Sequence, residues 1–386
     1  MENTSRAVLG ALHLVAAMGW QVLWGLILGF AVSAIVDAVV SKAELQKLIP
    51  DASARSVTRA TLLGAASSSC SYAAVAIARS LFRKGGDFTA AIAFQFASTN
   101  LVIELGLLLV VLMGWRFGLA EFVGGPIMIA LLVVGFRAFL RPGMVEAARR
   151  QADRGLQGRM EGHADMAQMD KSGDWRSRLA SPKGWDAISH YFVMNWSMLW
   201  RDIAAGLVIS GALGALVPDE FWHAAFLVND PTLGRLWGPL IGPLIAVASF
   251  TCSIGNVPLA AVLWNGGISF GGVVAFLFGD LIILPILNIY RRYYGMKMAI
   301  FLGAMFYAAM VLAALAVDLV FGGLGLIPEM RHVNVGEAAF SLNYTTVLNV
   351  VALVFAGWLY LRYRRSGGPR MMRAMKRNGQ GHQDQA

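Results

Sequence analysis

CSYAAVAIARSLFRKGGDFTAAIAFQF (Cys70–Phe96) and CSIGNVPLAAVLWNGGISFGGVVAFLF (Cys252–Phe278) align without a gap at an offset of 182 positions. The shared residues include Cys70/Cys252, Ser71/Ser253, Val75/Val257, Ala78/Ala260, Leu81/Leu263, Gly85/Gly267, Phe88/Phe270, Phe94/Phe276 and Phe96/Phe278. The chain's 2 cysteines therefore hold equivalent places. Upstream, GLILGFAVSAIV (Gly25–Val36) parallels GLVISGALGALV (Gly206–Val217). A duplicated polar break inside apolar sequence is how secondary transporters build a central site.

Composition sets the class. Apolar residues make up 57% and charged residues 14%, with mean hydropathy +0.59. An ordinary soluble domain carries about a quarter charged residues, so a water-soluble fold is excluded. Apolar runs occur at Leu12–Val36, Ala90–Met113, Phe122–Leu140, Ile203–Val217, Phe270–Leu287, Met298–Val320 and Val347–Leu361. Spanning a bilayer takes about 20 residues. The Ile203–Val217 run is short, and is expected to extend back through Trp196 and Trp200. Arg6 and the apolar stretch after it read as a retained first helix, because no cleavage site interrupts the run. Two cysteines make no disulfide framework. The net charge of +9 sits in the ends and loops, where it reports membrane orientation, not nucleic-acid binding.

The expected organisation is a first membrane repeat over 1–140, a cytoplasmic linker over 141–195, a second membrane repeat over 196–363 and a basic cytoplasmic tail over 364–386. Basic clusters lie at Lys42–Arg59, Arg79–Lys84, Arg137–Lys183, Arg291–Lys297 and Arg362–Arg377. Basic-poor connections lie at Val217–Arg235, Trp264–Ser269 and Phe321–Asn343. If both Cys-Ser segments spanned the bilayer, basic clusters would fall on both sides. If each is a re-entrant hairpin, all basic clusters fall in the cytoplasm, as the positive-inside rule requires. The expected fold is thus an all-α polytopic membrane protein of two inverted repeats, each with a re-entrant, broken Cys-Ser hairpin.

Candidate site residues follow from that fold. Irregular backbone at membrane depth survives only where it is buried in protein or lines a cavity. The tips, Ser67–Tyr72 and Ser249–Pro258, therefore place Ser69, Cys70, Ser71, Cys252, Ser253 and Asn256 as solute contacts. Gly255 and Pro258 favour a break in the second tip, and Gly85 and Gly267 the turns after each hairpin. The thiols suit a soft, thiophilic centre; the plain alternative is two small buried packing residues. Glu104 and Asp280 are intramembrane carboxylates. Either could carry a coupling proton, or pair structurally with a buried arginine such as Arg79 or Arg201. Asn100 and Glu104 are expected on one helical face. In the linker, His163, Asp165, Met166 and Met169 match no metal-ligand spacing, so neither a metal nor a cofactor is expected.

The second-half stretch FTCSIGNVPLAAVLWNGGISFGGVVAFLFGDLIILPILNIYRRYYG resembles the signature of the predicted permease family that includes the bacterial organoarsenical efflux permeases. The first-half segment SSSCSYAAVAIARSLFRKGGDFTAAIAFQFASTN is similar to that family's first motif. The resemblance covers both halves and leaves out the linker. It implies a bacterial inner-membrane permease, multi-pass with its C-terminus cytoplasmic. It also implies that Cys70 and Cys252 contact the solute, which in some members is a trivalent organoarsenical moved outward. Many members carry Cys-x-Cys at the first motif, where this chain has Tyr72 in the third position. The expected function is alternating-access transport of a small solute across the lipid bilayer, with efflux of a thiophilic metalloid first among substrates. A small sulfur-containing or oxoanionic solute is the second reading. A membrane thiol–disulfide redox protein is a third, though no Cys-x-x-Cys supports it.

Overall fold

The structure, a computed structural model, describes residues 2–39, 51–67, 71–83, 85–153, 181–249, 253–329, 331, 333 and 344–370. Among these it is helical, with no strand. The first half runs α1 (Glu2–Val39), α2 (Ala54–Ser67), α3 (Ser71–Arg83), α4 (Phe88–Asn100), α5 (Ile103–Met113) and α6 (Trp115–Phe139). After α7 (Pro142–Ala152) come α8 (Pro182–Leu216) and the short α9 (Asp219–Ala225). The second half continues with α10 (Pro231–Ser249), α11 (Ser253–Asn265), α12 (Phe270–Phe278), a 3₁₀ turn (Gly279–Leu281), α13 (Leu284–Tyr294) and α14 (Met296–Gly323). The last helix is α15 (Tyr344–Arg365).

Among the described residues, five helical stretches are long and apolar enough to cross a membrane: Leu9–Val32, Phe88–Met113, Trp115–Phe139, Met296–Gly323 and Thr345–Arg365. The pair Phe270–Leu281 and Leu284–Tyr294, bent by 43°, passes the same test together. The short apolar run before Val217 does extend backward, into the 35-residue α8. Large apolar side chains such as Ile300, Leu319, Val351 and Val354 face outward. That is the surface lipid requires, because the bilayer core offers backbone and polar groups no water.

The sequence duplication recurs in the helix ends. Helix α3 starts at Ser71 and ends at Arg83; α11 starts at Ser253 and ends at Asn265, the same offset of 182. Asp87 and Ser269 cap the next helices at the equivalent place, accepting from Ala90 N at 3.0 Å and Gly272 N at 3.1 Å. Such a cap satisfies one of the unpaired N–H groups of the first turn. The turns before them use Gly85 (φ +98°) and Gly267 (φ +103°), where a side chain would be strained. Helices α5 and α13 both end at a glycine of positive φ, Gly114 and Gly295.

The two halves pack through matching surfaces. Helix α1 packs along α8, α6 along α14, α3 against α13 and α11 against α5. Gly124 lies against Val317 and Gly135 against Met305, so α6 and α14 run antiparallel. Phe96 and Phe278, equivalent in the two repeats, meet edge to face at 5.4 Å. At the end of α6, Arg137 donates to Ala52 O just before α2, and Phe136 stacks on Phe88, which meets Phe82 of α3. The outer ends of α2 and α3 thus share one end of α6. At the end of α14, Asp318 pairs with Arg235 of α10 at 2.7 Å and Phe321 packs on Phe270, next to Trp264 of α11. The outer ends of α10 and α11 share one end of α14.

Three readings need correction or limits. Pro258 and Gly255 do not break the second segment, because α11 runs through both from Ser253. Proline costs that helix one hydrogen bond, which neighbouring helices tolerate at membrane depth. Asn100 and Glu104 do not share a face: the chain breaks at Leu101–Val102 between α4 and α5. The 141–195 segment, read from sequence as a linker or small helical insert, holds α7, which packs on α3 and α13, and the start of α8 at Pro182. The remainder, with His163, Asp165, Met166 and Met169, lies outside the described residues.

Close helix contact depends on glycine at one further place. A Cβ on Gly29 of α1 would fall 2.4 Å from Glu104 Cβ on α5. Gly29→Ala should therefore force the helices apart and cost about 1–3 kcal/mol. Thermal unfolding in detergent checks this; an unchanged midpoint would show that the contact is slack.

Candidate functional site

Both halves interrupt a helix, and the two breaks meet where Asn100 bonds Asp280. In the first, α4 ends at Asn100 and α5 starts at Ile103. In the second, α12 ends at Phe278, and Asp280 lies in the 3₁₀ turn before α13. Each break frees backbone groups where there is no water to satisfy them. Polar side chains gather at both.

Asp280 is fully buried and joins the halves. Its Oδ2 accepts from Ser71 Oγ at 2.6 Å, and its Oδ1 accepts from Asn100 Nδ2 at 3.1 Å. Asn100 also donates to Thr99 Oγ1 at 2.9 Å, and its own Oδ1 has no hydrogen-bond partner among the described residues. The second half answers crosswise: Ser253 Oγ donates to Thr99 O at 3.3 Å. The serines that begin α3 and α11 thus each reach the broken helix of the opposite repeat. Asn256, one turn into α11, accepts from Ser249 Oγ at 3.1 Å and ties the inner ends of α10 and α11 together. Deeper in the same interface, Gln95 of α4 donates to the Tyr290 hydroxyl of α13.

The predicted contacts divide accordingly. Ser71, Ser253 and Asn256 are buried; Ser71 bonds Asp280 and Ser253 bonds Thr99, while Asn256 bonds Ser249 at the end of α10. Ser69, Cys70 and Cys252 lie outside the described residues, directly before Ser71 and Ser253 in the chain. Glu104 is buried, with its Cβ against Gly29 of α1. The arginines proposed as partners have other contacts. Arg79 stacks on Tyr293 at 4.2 Å and donates to Ala152 O at 2.7 Å, and Arg201 lies over Trp200. Asn100, Thr99 and Glu121 are not among the predicted contacts, Asn100 being read only as sharing a helical face with Glu104. The first two were visible as the polar run Ser98–Asn100 at the end of an apolar segment.

A family profile described as a predicted permease matches residues 7–319. The chain belongs to that family. A protein of Mycobacterium tuberculosis named as a permease, Rv2963, is 57% identical over 339 residues, covering 87% of this chain and 83% of that one. The Escherichia coli protein YraQ is 25% identical over 109 residues, covering 28% and 29% of the two chains. No solved structure matches. The family and the spanning helices together make this permease a multi-pass membrane transporter.

Proposed function

We propose that this permease moves a small solute across the bacterial inner membrane by alternating access, with its site between two re-entrant hairpins of inverted repeats. The observation that carries this reading is the crosswise knot: Ser71 to Asp280, and Ser253 to Thr99, each joining a hairpin arm to the other half. Inversion is supported by the antiparallel α6 and α14, because each hairpin's outer ends lie at the end of one of these helices. Re-entrance is supported by length. Helices α2 and α3 have 14 and 13 residues, about 20 Å each against a hydrocarbon core of about 30 Å.

The leading substrate is a thiophilic metalloid compound such as a trivalent organoarsenical, moved outward. Ser69, Cys70, Ser71, Cys252, Ser253 and Asn256 form its contacts. Asp280 is the principal coupling group, with Glu104 the lesser candidate. A small sulfur-containing or oxoanionic solute, held by hydroxyls and hairpin N–H groups, is the second reading; the serine-rich tips favour it. Uptake into inverted vesicles with an imposed pH gradient, across a panel of both solute types, decides between them. Uptake of neither type would defeat both.

Orientation has its own test. The cytoplasmic C-terminus rests on the basic clusters, which fall on one side only in the inverted arrangement. Cysteines placed one at a time in a cysteine-free background should label from outside intact cells at Gly323, which is exposed with open space around it. Those at Gly85 and Gly367 should stay unlabelled. Labelling at Gly85 from outside rules out the inverted arrangement.

A further inference from the structure

We infer that Glu121 is a proton-carrying residue of this permease and forms with Asp280 a two-carboxylate proton site that loads and empties once per cycle. The inference rests on the transport reading above and adds to it a group that neither the sequence motifs nor the hairpins include.

Glu121 lies in the middle of the bundle. Its side chain is fully buried, and neither carboxylate oxygen has a hydrogen-bond partner among the described residues. It lies on the face of α6 that carries Phe117 one turn before and Gly124 one turn after. Phe117 packs on Trp264 and Phe270, and Gly124 on Phe278 and Val317. Glu121 therefore looks toward the second repeat, within electrostatic reach of Asp280 two residues beyond Phe278.

Few other charges face it. Helices α4 and α12, which pack on α6, have no ionisable side chain. From α5 comes Glu104, turned toward α1. From α14 come Lys297, Tyr307 and Asp318; Tyr307 donates to Leu240 O, and Asp318 is held by Arg235. On α6 itself, Arg116 and Arg137 donate to Ile327 O and Ala52 O.

Asp318 supplies the internal contrast. It is a structural carboxylate, with a guanidinium at 2.7 Å and the Gly271 N–H at 3.2 Å. A buried carboxylate lacking any such partner costs several kcal/mol as an anion. A residue kept for packing would gain from being Gln or Leu. An acid is needed only if the proton must leave. When the site opens to one side, water reaches Glu121, its O–H bond breaks and the proton passes to that water. Opening to the other side reloads it. No electrons move, and the carboxylate returns to its starting form.

The first test needs no solute. The full chain in lipid vesicles is followed by infrared difference spectroscopy, reading the carbonyl band of a neutral carboxyl at neutral pH. Glu121→Gln should remove that band, and Asp280→Asn should shift it. A missing band in the natural protein, its survival in E121Q, or no shift in D280N overturns the proposal. If E121Q fails to fold, D280N still decides it.

The second test uses phenylarsine oxide in vesicles. E121Q should keep solute exchange within about twofold and lose pH-gradient-driven accumulation by about tenfold or more. Glu121→Asp, which keeps the acid, should restore part of it. Undiminished accumulation in E121Q, or accumulation driven by sodium in place of protons, overturns the proton role. Absence of exchange in the natural protein counts against the arsenical substrate instead, and the infrared result then stands alone.

Discussion

Asp280→Asn removes gradient-driven transport, by roughly 100-fold or more, while the protein stays folded in the membrane. The reasoning begins with geometry. Asn has the shape of Asp, so α12, the 3₁₀ turn and α13 keep their packing. Its carbonyl can still accept from Asn100 or from Ser71, but its NH₂ must face the other donor. Ser71 can rotate to accept, so the stability loss stays near the 1–3 kcal/mol of one compromised buried hydrogen bond. What is lost entirely is the ability to change charge. Asp280 ties Ser71 of one hairpin arm to Asn100 of the broken helix. Adding or removing its proton changes both bonds together, which gives protonation a direct mechanical consequence. Asp318→Asn is the matched control. It breaks the Arg235 pair at the end of α14, so it should lower the unfolding midpoint and leave transport per folded molecule near normal. Transport of every solute at the natural rate in Asp280→Asn, with unchanged pH dependence, would falsify the coupling role.

What could be read from residues alone follows the physics of each signal. The duplication at Cys70 and Cys252 was legible because local rules act alike on both copies. Equal spacing produced equal helix ends, equal caps at Asp87 and Ser269, and equal glycine turns at Gly85 and Gly267. The broken helices were only half legible. Asp280 stood out as a carboxylate in an apolar run, but Asn100 was assigned to a helix continuing to Glu104. Residues Leu101 and Val102 carry no breaker, so tertiary contacts must impose that interruption. Pro258 misled in the opposite sense, being a breaker in water that this helix accommodates. Glu121 was missed through a boundary. Hydropathy begins the span at Phe122 because Arg116 and Glu121 look like loop residues. The helix begins at Trp115, so Glu121 lies about 9 Å along it, inside the bundle. Arg116 reaches back out to Ile327 O and hides the depth of its neighbour.

Cys70→Ser and Cys252→Ser should each weaken handling of a trivalent organoarsenical about as much as the double substitution does. Serine keeps the size and polarity of cysteine and removes its affinity for soft centres. Each thiol directly precedes a serine that bonds across the two halves, Ser71 to Asp280 and Ser253 to Thr99. A monosubstituted trivalent arsenical has two exchangeable ligand positions. If one sulfur comes from each hairpin, a single solute bridges the tips, and one remaining thiol cannot hold it. Two independent contacts would behave otherwise, with losses that add in the double variant. With Tyr72 two residues on, the first motif holds no second cysteine and so no substitute thiol. An oxoanion would be held by hydroxyls and N–H groups, so its transport should survive both changes. Uptake into inverted vesicles at matched protein level, for the two single variants and the double, separates these outcomes. Unchanged uptake of every thiophilic solute by the double variant would reduce the cysteines to packing and leave the serine–Asp280 cluster as the whole of the site.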